Sequence, residues 1–262
     1  MGDWRLVALD MDGTSLDLGL DISPQTRRAI RRAIEAGVMV TFATGRRYGG
    51  LVQQLARELG MTVPLVTVNG GEVWTPHGEL LMRRAHRAED IAWLHGLAIR
   101  HGANYWATMP DGILSDEPLP DRMDDVVWLK FGFYTEDQDA LASLWKTLWQ
   151  AGRFELSNSN PFNIEVNPQG VTKAAGLEVV CQRIGVRPEQ VVAVGDSLND
   201  IPMLQWAGLG VAMGNAQDAV KEVAGWVAEV CERGGVAGVI ERVLEERAGA
   251  PQRLESGESC KL

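Results

Sequence analysis

Short apolar runs and amphipathic stretches alternate along this chain in two separate blocks. Leu6, Val7, Ala8 and Leu9 are consecutive apolar residues stopped by a turn at Gly13, which predicts a strand buried on both faces. Runs over 38–43, 65–68 and 191–194 read the same way. Between them lie helical periods. Ser23 and Pro24 open a helix whose apolar stripe is Ala29, Ile30, Ala33 and Ile34, and Gly37 ends it. Leu51, Val52, Leu55 and Leu59 mark a second helix after Gly50. A third, with Leu177, Val180, Cys181 and Ile184 on its apolar face, is opened by Gly170, Val171, Thr172 and Lys173. Alternation through residue 68, resumed from about 170, predicts an α/β fold with a doubly wound parallel sheet.

The texture changes between the two blocks. Residues 88–100 and 136–151 have helical periods, and strand pieces fall at 105–108, 126–134, 153–158 and 162–167. In the second of these helices Leu141, Leu144, Trp145 and Leu148 form a stripe that predicts packing on a sheet. The strand over 126–134 alternates Val127, Leu129, Phe131 and Phe133 on one face with Trp128, Lys130, Gly132 and Tyr134 on the other. The first face is expected against helices and the second toward the carboxyl ends of the parallel strands. The domain division expected is 1–81 and 169–247 for the core, 82–168 for an inserted α+β domain, and 248–262 for a disordered tail. Hinges are expected near 83–85 and 167–170, where Pro168 and Gly170 punctuate the chain.

At 262 residues the chain can bury a substantial core. It has no 18-residue apolar stretch and no leader-like segment, so a soluble, cytoplasmic protein without membrane association is expected. A net charge of −10 argues against nucleic acid as a partner. Cys181, Cys231 and Cys260 lack metal-ligand spacing, and two of them lie in apolar surroundings that read as core thiols. His77, His86, His95 and His101 also lack ligand spacing and are expected at the surface. Oligomeric state leaves no trace in the sequence.

The chemistry collects where strands end. Asp10 and Asp12 follow the first strand; Thr44, Gly45 and Arg46 follow the second; Asp196, Ser197, Leu198, Asn199 and Asp200 follow the strand over 191–194. Ligands of open α/β sheets bind beyond the carboxyl ends of the strands. Lys173 opens a helix, where its charge opposes the dipole, so an anion is expected beside it. Carboxylates, a hydroxyl and a lysine in one crevice suit phosphate together with Mg2+, a hard cation that takes oxygen ligands.

In that order, DMDGT, ATGR, the lysine of GVTK, and GDSLND resemble the four motifs of the haloacid dehalogenase superfamily, most closely its Cof-type phosphatases. NGGEVW at 69–74 and VAMGNA at 211–216 resemble two further Cof-type segments, and the insert lies where those enzymes carry an α+β cap. The resemblance implies that Asp10 is the nucleophile and Asp12 the acid and base. Met11 through its N–H, Thr44, Gly45, Lys173 and Asn199 would hold the phosphoryl group or balance its charge. Mg2+ would bind through Asp10, the Asp12 carbonyl and Asp196, with Asp200 behind. Arg46, Asn69 and Lys130 are the candidate substrate contacts. The implied activity is hydrolysis of a small phosphorylated metabolite, with sugar phosphates leading. Phosphoglycolate, a flavin or pyridoxal precursor, phosphomutase chemistry, or a non-catalytic phosphoacceptor module are the alternatives.

Overall fold

The computed structural model describes residues 2–17 and 19–249. Its first block is β1 (Leu6–Leu9), α1 (Pro24–Glu35), β2 (Met39–Phe42), α2 (Gly50–Leu59), β3 (Leu65–Thr67), β4 (Glu72–Trp74) and β5 (Leu80–Arg83). The insert follows as α3 (Ala88–His101), β6 (Asn104–Thr108), β7 (Ile113–Ser115), β8 (Lys130–Tyr134), α4 (Gln138–Ala151), β9 (Phe154–Ser157) and β10 (Asn163–Pro168). The last block is α5 (Lys173–Ile184), β11 (Val191–Gly195), α6 (Ile201–Trp206), β12 (Leu209–Ala212), α7 (Asp218–Val223), β13 (Trp226–Val227) and α8 (Gly235–Ala248).

The main sheet runs β13-β12-β11-β1-β2 with every pair parallel. An isolated parallel bridge between Ala43 and Val66 carries it on toward β3, which forms a small antiparallel sheet with β4 and β5. Because side chains alternate along a strand, β1 feeds both faces: Val7 and Leu9 enter a cluster with α1, α2 and α8, while Leu6 and Ala8 enter one with α5, α6 and α7. All four are fully buried, and each large side chain contributes roughly 1.5–3 kcal/mol by leaving water. Helices thus cover both faces, the doubly wound arrangement. The predicted caps hold: the Ser23 side chain accepts the Thr26 N–H, and Pro24 is the first residue of α1.

The inserted cap is a five-stranded antiparallel sheet, β7-β6-β8-β10-β9, with α3 and α4 on one face. Leu144 and Leu148 of α4 are buried in that layer, with Leu141 and Trp145 at its edge. The strand expected over 126–134 is shorter. A 3-10 turn at Met123–Asp125 precedes it, and Trp128 bridges to His86 rather than joining the ladder. The alternation therefore restarts at Lys130. Trp128 enters the cap core, its indole N–H donating to the Met123 carbonyl at 3.0 Å, and Val127 is exposed. Tyr134 packs against Phe162 at the end of the sheet.

His86 also departs from expectation. It is buried between cap elements, with Nε2 3.0 Å from the Val166 carbonyl and its ring beside Phe154. The sequence hid this because the partners lie 68 and 80 positions away. Cys181 and Cys231 are buried free thiols, as read; Cys260 and the expected tail from residue 250 on lie outside the described residues. No helix among the described residues is long and apolar enough to cross a membrane.

Candidate active site

Asp10 continues β1 by one residue, its N–H donating to the Val194 carbonyl at 2.9 Å. The chain then turns: the Met11 carbonyl accepts the N–H groups of Ser15 and Leu16, the Met11 side chain sinks into the core, and the Ser15 hydroxyl donates to the Asp10 carbonyl at 2.7 Å. Gly13 makes this turn with φ at +76°, and a Cβ there would lie 2.5 Å from an Asp196 carboxylate oxygen. The first and last motifs are thus packed against one another. Thr14 donates its hydroxyl to Asp196 Oδ1 at 3.0 Å, and Ser197 donates to Oδ2 at 3.3 Å.

Lys173 is the first residue of α5, capped by Thr172, and is fully buried. Its ammonium donates to Asp10 Oδ1 at 2.5 Å and to Asp200 Oδ1 at 2.6 Å, so the anion expected beside it is two carboxylates. Asp200 spends its other oxygen on the N–H groups of Asp196 and Ser197, at 2.9 and 3.0 Å. Only glycine fits at 195, because a Cβ there would meet Asp200 Cγ at 2.3 Å.

Three carboxylates around one ammonium leave this centre short of positive charge. Burial, reinforced by the Asp200 charge, pushes the Asp10 carboxyl well above the usual range even with Lys173 beside it. Burial and then Asp200 push Asp196 up to about 6. Burial pulls on the Lys173 ammonium too, but Asp10 and Asp200 outweigh it and hold its proton more tightly than usual. A divalent cation would cancel the surplus. One oxygen from each of Asp10, Asp196 and Asp200 lies within 4.8 Å of the others, a hard-donor set suited to Mg2+. Asn199 gives its amide N–H to Asn69 at 3.3 Å and leaves Oδ1 buried without a partner, an acceptor that a water on a cation would satisfy. Asp200 is fully buried, held by Lys173 and two backbone N–H groups, and does not reach the cavity as Asp10 and Asp196 do, so it fits behind the ion rather than on it. Asp12 contributes no carboxylate to this cluster.

Instead the Asp12 side chain turns to Arg46, which grips it through Nε at 2.8 Å and Nη2 at 2.5 Å. Arg46, expected at the substrate, lines the cavity with its guanidinium already committed. Thr44 is buried beneath the loop, its hydroxyl accepting the Arg46 N–H at 3.1 Å, whereas Gly45 faces the cavity. Asn69, also expected at the substrate, lies behind the cavity wall: its amide donates to Glu165 Oε2 at 2.7 Å and its oxygen accepts from Asn199. Strained backbone puts it there, with φ at +51° for Val68 and +56° for Asn69.

The cavity between core and cap is about 810 Å³. Asp10, Asp12, Gly45, Arg46, Asp196 and Asn199 line it from the core; Trp106, Thr108, Lys130, Ser159 and Glu165 line it from the cap. Lys130 does face the core, but its ammonium is paired, 2.9 Å from Glu165 Oε1 and 3.2 Å from the Gly45 carbonyl. Burial alone would raise the Glu165 carboxyl, yet Lys130 and the Asn69 amide hold it below the usual range. Glu165, Trp106 and Thr108 were not foreseen. The signal was present in β10, where Asn163, Glu165 and Asn167 alternate with Ile164 and Val166.

The sequence model of the haloacid dehalogenase-like hydrolases matches residues 7–138 and 121–240. The 5-amino-6-(5-phospho-D-ribitylamino)uracil phosphatase YcsE of Bacillus subtilis (strain 168) is 42% identical over 238 residues, covering 91% of this chain and 95% of that protein. An HMP-PP phosphatase of Cronobacter sakazakii is 32% identical, covering 81% of this chain and 85% of the relative. Among solved structures, a haloacid dehalogenase-like hydrolase from B. subtilis shares the fold with a TM-score of 0.83 at 22% identity, over 91% of this chain and 99% of that one. The chain therefore belongs to the haloacid dehalogenase superfamily and is one of its Cof-type phosphatases.

Proposed function

We propose that this phosphatase uses Mg2+ and a phosphorylated Asp10 to hydrolyse phosphate monoesters of small cytoplasmic metabolites. The observation that carries the reading is Asp10 itself: a carboxylate at the cavity floor, fixed from behind by the buried Lys173, beside a surplus of negative charge. In the proposed reaction an Asp10 oxygen attacks phosphorus as the ester P–O bond breaks, and the departing alkoxide takes a proton from Asp12. Asp12 then accepts a proton from water, whose oxygen attacks phosphorus. The bond from phosphorus to Asp10 breaks, inorganic phosphate leaves and Asp10 is restored. Asp12 must leave Arg46 to do this. The Met11 and Gly45 N–H groups and the Thr44 hydroxyl are the proposed phosphoryl contacts, and Lys173 neutralises charge between nucleophile and phosphate. Mg2+ held by Asp10, Asp196 and the Asp12 carbonyl would supply positive charge to the phosphoryl oxygens.

The cap is proposed over residues 82–168, with hinges at 83–85 and 167–170; Met82 and Arg83 still pair with β4, so the chain leaves the core just after them and re-enters before α5. A phosphorylated polyol or sugar is the proposed substrate. The ribityl phosphate in the name of the relative at 42% identity belongs to that class and favours the flavin-precursor alternative. A panel of phosphorylated metabolites with Mg2+ tests the reading: polyol and sugar phosphates are expected to turn over, and Asp10→Asn, folded by circular dichroism, to lose at least about 10³-fold in kcat. Near-normal turnover by folded Asp10→Asn would sink the nucleophile assignment.

A further inference from the structure

We infer that the cavity selects a leaving group bearing a planar heteroaromatic ring, and that Trp106 is the residue that selects it. The inference rests on the phosphatase reading above for the reaction, but its own support is the open face of the cap sheet. On that face Trp106 of β6 stands opposite Gly132 of β8, and Gly132 opposite Glu165 of β10. A Cβ at Gly132 would lie 2.1 Å from Trp106 Cζ2, 2.2 Å from Cε2 and 2.5 Å from Cη2. Those are three consecutive ring atoms. A point so close to all three lies above the ring, not beside its edge, so the indole lies flat on the sheet with one face on Gly132. Its other face points away from the sheet, and Trp106 lines the cavity.

Among the other aromatic side chains of β6 and β8, Tyr105, Phe131 and Phe133 are buried in the layer under α3 and α4, and Tyr134 packs on Phe162 at the end of the sheet. Trp106 is partly buried on the open face and lines the cavity. A flat indole with an open face stacks best on another planar ring. The groups around it fit the same ligand. Lys130 and Glu165 neutralise each other at 2.9 Å, so this pair presents polar atoms without net charge. Arg47 also lines the cavity and donates to the Pro110 carbonyl at 2.9 Å, so the groups around the indole are polar and suit the N–H and C=O edges of a heterocycle.

A matched pair of substrates tests this with the Mg2+-loaded enzyme: 5-amino-6-(5-phospho-D-ribitylamino)uracil and ribitol 5-phosphate, which lacks the ring. The wild type is expected to favour the ring-bearing ester by roughly 10- to 100-fold in kcat/KM. Trp106→Ala should erase that preference through KM while leaving ribitol 5-phosphate within about twofold, and Trp106→Phe should keep most of it. Equal losses on both esters, no loss on either, or no wild-type preference would overturn the inference while leaving the phosphatase reading intact. Were no ester turned over, the phosphatase reading would fail instead. Calorimetric binding of the dephosphorylated ring compound against ribitol would then decide: preference for the ring that Trp106→Phe retains supports the platform, and equal binding overturns it.

Discussion

His86 is a single buried imidazole whose protonation bears on the whole cap. Burial pushes its pKa down to about 4, against the opposing pull of the Val166 carbonyl and the Asp90 carboxylate. The unfolded chain binds that proton near pH 6.5, so between about 6.5 and 4 the unfolded state holds more protons than the folded one. Stability is accordingly expected to fall as the pH drops through that window, by roughly 3 kcal/mol from this group. Urea unfolding of wild type and His86→Gln at pH 7.5 and 4.5 checks it: the variant should lose less stability than the wild type, and parallel losses would refute the assignment. Residues of this kind were illegible beforehand because burial comes from distant partners. Asp10, Lys173 and Asp196 were legible because each sits where a strand ends or a helix begins, so local pattern alone placed it in the crevice.

Between cap and core, β8 and β10 act as one element through Lys130 and Glu165. Both side chains are nearly buried, and the pair reaches the core through the Gly45 carbonyl and the Asn69 amide. Removing one partner strands the other charge away from water, which costs about 3–5 kcal/mol. Lys130→Met is therefore expected to lower Tm by roughly 10 °C. Lys130→Met combined with Glu165→Leu should recover part of that loss in a calorimetric double-mutant cycle. A single-variant effect under about 1 kcal/mol would mean the pair is solvated. Alternation placed Lys130 on the correct face, since period two holds from Lys130 to Tyr134. It misplaced Trp128 because the turn at Met123–Asp125 resets the phase, and no local pattern marks that turn. The hairpin of β4 and β5 was also missed; its strands, Glu72–Trp74 and Leu80–Arg83, mix Glu and Arg with their apolar residues and are too short for periodicity to register.

For the molecule as a whole, the charge deficit around Asp10 couples cation binding to stability. Mg2+ at 100 times its Kd should add about 2.7 kcal/mol to the folded state. A Tm that rises with Mg2+, returns on chelation and fails to respond in Asp196→Asn is the expected result of differential scanning calorimetry. A Tm indifferent to Mg2+ in the wild type would remove the ion from this centre. The position of β1 has a different consequence, for the order of folding. It lies inside the main sheet, paired on one side with β2 and on the other with β11, Leu6 against Val191. During synthesis the cap strands, all drawn from residues 104–168, emerge complete while one edge of β1 still lacks its neighbour. Such long-range parallel pairing is slow, and an apolar strand waiting with an open edge is prone to pair with other chains. The inserted cap is thus free to fold as a local unit ahead of its host, and the nascent chain is most vulnerable to aggregation in the interval before residue 191 leaves the ribosome.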